Sequence, residues 1–225
     1  MDPPIAIDID GTMTRPTGGV DPRLFDRLRE WDAPVLVATG KSFPYPVALC
    51  QFVGIPPAIV AENGGVVLVE DELVVDGDDA AARLVADRLL ADGLPGGWED
   101  PDLHNRWRES ELSVDRAVPS DHLEALAARH DLEVVDTGYA YHVKSPPVTK
   151  ATGLARACEL LDHDPADFAA IGDSANDVEL FDSVGRSYAV ANAAEVAKER
   201  ADVVTDSAYG SGALEALALI QDSTR

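Results

Sequence analysis

Short, wholly apolar runs alternate along the first part of the chain with stretches in which apolar residues recur every three or four positions. PIAID, APVLVAT and PAIVAEN have the length of buried strands. DPRLFDRLREW and FPYPVALCQFVG have helical spacing, with Asp21 placed to cap the first and prolines confined to the start of the second. VVLVEDELVVD alternates around a polar tip and reads as a hairpin. Strand–helix–strand–helix order predicts a parallel, doubly wound α/β sheet.

The pattern changes near Asp78. A helix, DAAARLVADRLLADG, is followed by two strand candidates, HNRWRES and LSVDRAV. Another helix, SDHLEALAARH, leads to the strands LEVVDTG and YAYHVKS. This order predicts a small antiparallel α+β layer with its helices on one face. From Lys150 the alternation resumes, through KATGLARACELL, FAAIGD, NDVELFDSV, SYAVAN, AAEVAKERA and DVVT to a last helix from Ser211. The expected organisation is a core domain made of residues 1–78 and 149–225, interrupted by an inserted domain at 79–148.

Composition narrows the function classes. Hydrophobic residues make up 46% of the 225, enough for a real core, and no apolar run is long enough to span a membrane. The start of the chain shows no secretion signal. Cys50 and Cys158 stand alone, without metal-type spacing, and are expected to be buried and reduced, which suits the cytoplasm. The net charge is −23, from 41 acidic and 18 basic residues, and the lysines are Lys41, Lys144, Lys150 and Lys198 alone. Such a chain repels nucleic acid and anionic membrane. The acids are spread over the predicted helix surfaces, a distribution that suits salt-accumulating organisms, where salt screens the repulsion. An acidic surface for a cationic partner is the competing reading.

Candidate chemistry collects at strand ends, where open α/β sheets bind their ligands. The first strand ends in Asp8 and Asp10, whose side chains should project to one side by strand alternation. The second ends in Thr39 and Gly40, the third in ENGG, and a later one in Gly172, Asp173, Ser174, Asn176 and Asp177. Lys150 opens the helix after the insertion. Each has an ordinary reading alone, as a cap, a turn or a solvated helix residue. Together they suit phosphoryl transfer. Asp8 and Asp173 could hold magnesium and Asp177 could steady its waters. The Thr39 hydroxyl, nearby N–H groups and Lys150 could hold a phosphoryl group.

DIDGTMT, VATGK, TKATGL and GDSANDVEL, in this order, resemble the four motifs of the haloacid-dehalogenase-type phosphatases across essentially the whole chain. The insertion and AENGG resemble the Cof-like branch, and the short insertion with DTGYAYHVKS is most similar to its archaeal phosphoglycolate phosphatases. Met13, where leucine is commoner, is a mild departure. The resemblance implies a Rossmann-like core sheet with a small α+β cap, and a magnesium-dependent phosphate monoester hydrolase working through an aspartyl-phosphate. It implies Asp8 as nucleophile, Asp10 as acid and base with its carbonyl on the metal, and Thr39 and Lys150 on the phosphoryl group. Asp8, Asp10, Asp173 and Asp177 are the metal set that the resemblance implies. Gly40 and Asn176 join Thr39 and Lys150 as expected substrate contacts. In the cap, Arg106 and Arg108 on one expected strand, and His142 and Lys144 on another, could meet a carboxylate beside the phosphate. Phosphoglycolate, a small phosphate monoester, is the expected substrate, and a homodimer is an open possibility. Sugar-phosphate and mannosyl-phosphoglycerate phosphatases share the motifs. A receiver-type signalling domain is a remote alternative, because it has neither an insertion nor D-x-D-G-T.

Overall fold

The computed structural model describes residues 2–98, 102 and 104–223. The first crossover units run β1 (Ile5–Ile7), α1 (Arg23–Arg29), β2 (Val35–Ala38), α2 (Pro44–Val53) and β3 (Ala58–Ala61), followed by the hairpin β4 (Val66–Val69) and β5 (Glu72–Val75). The smaller layer follows, with α3 (Asp79–Ala91), β6 (Leu112–Val114), α4 (Ser120–Ala127), β7 (Glu133–Asp136) and β8 (Tyr141–Lys144). The chain then returns through α5 (Lys150–Leu161), β9 (Ala169–Gly172), α6 (Val178–Ser183), β10 (Arg186–Ala189), α7 (Glu195–Arg200), β11 (Val203–Val204) and α8 (Tyr209–Ser223).

Among the described residues the large sheet is ordered β11-β10-β9-β1-β2-β3-β4-β5. It is parallel from β11 to β3, and β4 and β5 add to it antiparallel. The sequences IAI, VLVA, AIVA and AAIG are apolar throughout and buried throughout, because helices cover both faces of a parallel sheet. β1 sits between β2 and β9 with Ile5 opposite both Val35 and Ala169, so the order in which successive strands join the sheet reverses at that strand while all three stay parallel. Such a reversal opens a crevice at the carboxyl ends of the strands.

The smaller layer is the antiparallel sheet β6-β8-β7, on which α3 and α4 pack. It buries its own apolar cluster, including Val85, Leu89, Leu112, Leu123 and Val143. One expected strand is absent: in HNRWRES, residues Asn105–Trp107 form a single tight helical turn. Asn105 explains it. Its side-chain NH2 donates to Ser113 O (2.6 Å) and its Oδ1 accepts from Ser113 N (2.7 Å), so a side chain occupies the pairing edge of β6 that a strand would have taken. Asp21 does not occupy the cap position of α1, which belongs to Pro22, yet its carboxylate accepts from Arg23 N (3.1 Å) and the Arg23 guanidinium. No described helix is long and apolar enough to cross a membrane.

Candidate active site

Three carboxylates and one ammonium meet where β1, β9 and α5 converge. Lys150 is the first residue of α5, whose start is fixed by reciprocal bonds between Thr149 and Thr152. A lysine there opposes the helix dipole, so something else must hold it. Its ammonium donates to Asp8 Oδ1 and to Asp177 Oδ1, both at 2.7 Å, and is fully buried. Asp177 Oδ2 accepts from the N–H groups of Asp173 and Ser174 (3.0 Å each), which folds the loop after β9 back on itself. Asp173 Oδ1 accepts from the Thr12 hydroxyl at 2.8 Å. Gly11, at φ +79°, lets the loop after β1 come that close, since a Cβ there would stand 2.1 Å from Asp173 Oδ2.

Ligand atoms of Asp8, Asp173 and Asp177 lie within 4.8 Å of one another. Burial pushes the Asp8 carboxyl well above its usual range despite Lys150, and pushes Asp173 up to about 7. Burial alone would lower Lys150, but Asp177 and Asp8 outweigh it and hold the ammonium charged. Three acids thus face one cation, an excess of negative charge that a further cation would relieve.

Asp10 lies at the cleft too, but not by strand alternation. β1 ends at Ile7 and the chain turns at Ile9, whose carbonyl accepts from Met13 N (2.8 Å). Asp8 is buried and the Asp10 side chain is 59% exposed, with its Oδ2 2.9 Å from Lys41 Nζ. Thr39 is buried after β2, and its Oγ1 accepts from Lys41 N at 3.2 Å. Asn176 donates from Nδ2 to Asn63 Oδ1 (2.7 Å).

Behind Asn63 stands a second polar cluster, joining the large sheet to the smaller layer. Glu62 and Asn63 hold left-handed backbone (φ +52° and +55°), a cost accepted only where the surroundings dictate it. The buried Glu62 carboxylate accepts from Ser110 N and Oγ (2.9 and 2.8 Å), Glu109 N and Phe43 N. Asn63 Nδ2 donates to Glu111 Oε2 at 2.9 Å. Glu111 also binds Arg108, and lies 2.8 Å from His142 Nδ1. Burial would raise the Glu111 carboxyl, but His142 and Arg108 outweigh it and hold it below its usual value. Arg108 also donates to Gly40 O (3.0 Å), while its Nε is a buried atom without a partner among the described residues. Gly64 completes this junction: at φ +110°, a Cβ would stand 1.9 Å from Thr149 O.

The cleft between the two units encloses about 520 Å³. Asp8, Asp10, Thr39, Gly40, Asp173 and Asn176 line it from one side, and Arg108 and His142 from the other. Lys144 does not line it. It shares a sheet face with His142, as expected, but its ammonium is buried on Glu133 and Val148 O, both at 2.5 Å. Arg106 is exposed on the turn, over the Trp107 ring, rather than on a strand face shared with Arg108. Sequence reasoning passed over Glu111, which shows no spacing to anything it binds. It also passed over Lys41 and the stacked Trp98 and Tyr139 (4.9 Å between rings), all three lining the cleft. A cavity of about 500 Å³ beside Trp31, Pro34 and Pro56 lies at the other ends of β2 and β3, away from these carboxylates.

The pattern of the haloacid dehalogenase-like hydrolase family matches residues 119–217. The chain is 53% identical to a phosphoglycolate phosphatase of Natronomonas pharaonis and 52% identical to one of Haloarcula marismortui, with 98% of each chain covered in both cases. In fold it is similar to the crystal structure of Thermoplasma acidophilum 0175, at TM-score 0.86 and 23% identity, over 98% of this chain and 99% of that one.

Proposed function

The chain belongs to the haloacid dehalogenase-like hydrolases and is a phosphatase, and from that premise we propose that it hydrolyses 2-phosphoglycolate to glycolate and phosphate. The observation that carries the chemical reading is the Lys150 ammonium bridging Asp8 and Asp177 at 2.7 Å each, beside Asp173.

A Asp8 carboxylate oxygen attacks phosphorus, and the bond from phosphorus to the glycolate oxygen breaks. Asp10, at the open side of the cleft, gives its proton to the departing alkoxide. The aspartyl-phosphate is then attacked by water, whose proton returns to Asp10, and phosphate leaves with Asp8 restored. Lys150 works against the burial that raises the Asp8 carboxyl and offers charge to the phosphoryl oxygens. The Thr39 hydroxyl and the N–H groups beyond it, at the lining of the cleft, would bind those oxygens.

The donor set fits magnesium. Its donors are all oxygen, clustered, and short of positive charge. Asp8 and Asp173 would hold the ion with the Asp10 carbonyl. Asp177, whose oxygens are already committed to Lys150 and two N–H groups, would position the site. When bound, magnesium supplies charge neutralisation for the phosphoryl oxygens. The buried, unpaired Cys50 and Cys158, both with thiols pushed by burial to about 11, suit a reducing compartment. The surplus of acid fits the haloarchaeal relatives.

The test is purified protein against a panel of phosphate monoesters, with and without magnesium. Phosphoglycolate should show the highest kcat/KM, and chelation should abolish turnover. A sugar phosphate with equal or higher kcat/KM would overturn the substrate, and full activity in chelator would overturn the metal.

A further inference from the structure

The cap cations expected to read the substrate are already engaged. Arg108 is bound to Glu111 and Gly40, His142 to Glu111, and Lys144 to Glu133. The cation next to Asp10 is Lys41. Its side chain is 32% exposed, and its ammonium sits 2.9 Å from Asp10 Oδ2 and 5.4 Å from the centre of the Tyr45 ring. Its backbone is tied on both sides, with Lys41 N donating to Thr39 Oγ1 (3.2 Å) and Lys41 O accepting from Glu62 N (3.1 Å). The side chain is therefore held at the cleft by the same loop that presents Thr39.

We infer that Lys41 is the specificity residue that binds the carboxylate of the leaving group. This rests on the phosphoglycolate reading and concerns the same site. The reasoning is chemical. To donate its proton, Asp10 must come within hydrogen-bond reach of the ester oxygen. In the glycolate leaving group, one methylene separates that oxygen from the carboxylate. A cation in contact with Asp10 is therefore beside the carboxylate whenever Asp10 is beside the oxygen. An ammonium has three donors, so Lys41 can keep Asp10 and take the substrate carboxylate together. The Tyr45 ring limits where the ammonium can go. A neutral alkyl phosphate would leave that donor without a partner.

The experiment compares kcat/KM for 2-phosphoglycolate and for ethyl phosphate, which keeps the ester and lacks the carboxylate. Loss of Asp10's neighbour disturbs proton transfer with both esters and cancels in the ratio. Lys41→Met should lower the phosphoglycolate-to-ethyl-phosphate ratio by about tenfold to a hundredfold, the loss expected for one charge-assisted hydrogen bond. Lys41→Arg, which keeps the charge, should hold the ratio within about threefold of wild type. If Lys41→Met lowers both substrates equally, this assignment is overturned while phosphoglycolate stands. If Arg15→Met lowers the ratio and Lys41→Met does not, the carboxylate sits on Arg15, which also lines the cleft, and the assignment is likewise overturned. If the wild-type protein does not prefer phosphoglycolate at all, the substrate reading fails and takes this one with it.

Discussion

Two buried polar clusters lie on either side of Asn63, and they are built to opposite rules. Around Glu62 and Glu111 each carboxylate is surrounded by donors: four for Glu62, and Arg108, His142 and Asn63 for Glu111. Around Lys150, two carboxylates share one ammonium and a third lies beside them, with a hydroxyl and two backbone N–H groups to help. A buried charge that is fully met holds structure together, because removing either partner leaves the other stranded. A buried charge left in excess lowers stability and persists where chemistry needs it. The first cluster is a junction between two units, and the second is the proposed reaction centre.

The largest test of this contrast is Asp8→Asn. It should lower kcat by about a thousandfold or more, because the proposed nucleophile is gone. The melting midpoint should hold or rise, since one excess buried charge has been removed, and a clear drop would place Asp8 in the structural class. Lys150→Met sharpens the point from the other side. It strands Asp8 and Asp177, so urea unfolding at constant salt should show a loss of about 3–5 kcal/mol along with near-complete loss of activity.

Magnesium should separate the clusters by pH. Asp173 is raised from its ordinary value of 3.8 to about 7, and Asp8 is raised as well. A raised carboxyl contributes stability that is full below the unfolded value and is lost as pH rises through the folded one. The metal-free protein therefore carries a growing penalty from these groups between about pH 4 and pH 7. Magnesium competes with those protons, so it should raise the melting midpoint by about 5–10 °C at pH 8 in large excess over its dissociation constant. At pH 5 the rise should be much smaller. Equal shifts at both pH values would mean the ion binds elsewhere.

The smallest effect is expected at the junction. Glu62→Gln points an NH2 group at donors that need an acceptor, and should cost about 1–3 kcal/mol in urea unfolding. The kcat should change far less than with Asp8→Asn. A kcat loss that rivals the one from Asp8→Asn would place Glu62 in the reaction centre and dissolve the contrast.

The clustering of Asp8, Asp173 and Asp177 with Lys150 was legible in the sequence, and the junction was not, for physical reasons. Ile5–Ile7 and Ala169–Gly172 are apolar throughout, so the acids that follow them stand out as strand ends, and parallel topology brings such ends together. Lys150 was readable from its place at a helix start. Glu111 sits beside an apolar run like many surface glutamates, and only the folded chain shows that it faces Arg108 and His142. Arg106 and Arg108 were expected to alternate on a strand, but the Asn105 side chain filled the pairing edge. His142 and Lys144 do share a face, yet periodicity cannot say that Glu133 lies opposite Lys144 across β7.

The central position of β1 has a consequence for the order in which the protein can be built. β1 is held on one side by β2, which follows soon after it in synthesis, and on the other by β9, which comes late. Until residue 169 is made, β1 carries an unpaired edge in the middle of what will be the sheet, and Asp8 N lacks the Ile171 carbonyl that fixes it. The smaller layer lies wholly between these two events and has an apolar cluster of its own, so it can close while the sheet around it is still half made. Vectorial synthesis thus leaves the surroundings of Asp8 for last, and a product cut short of β9 would lack the carboxylate cluster.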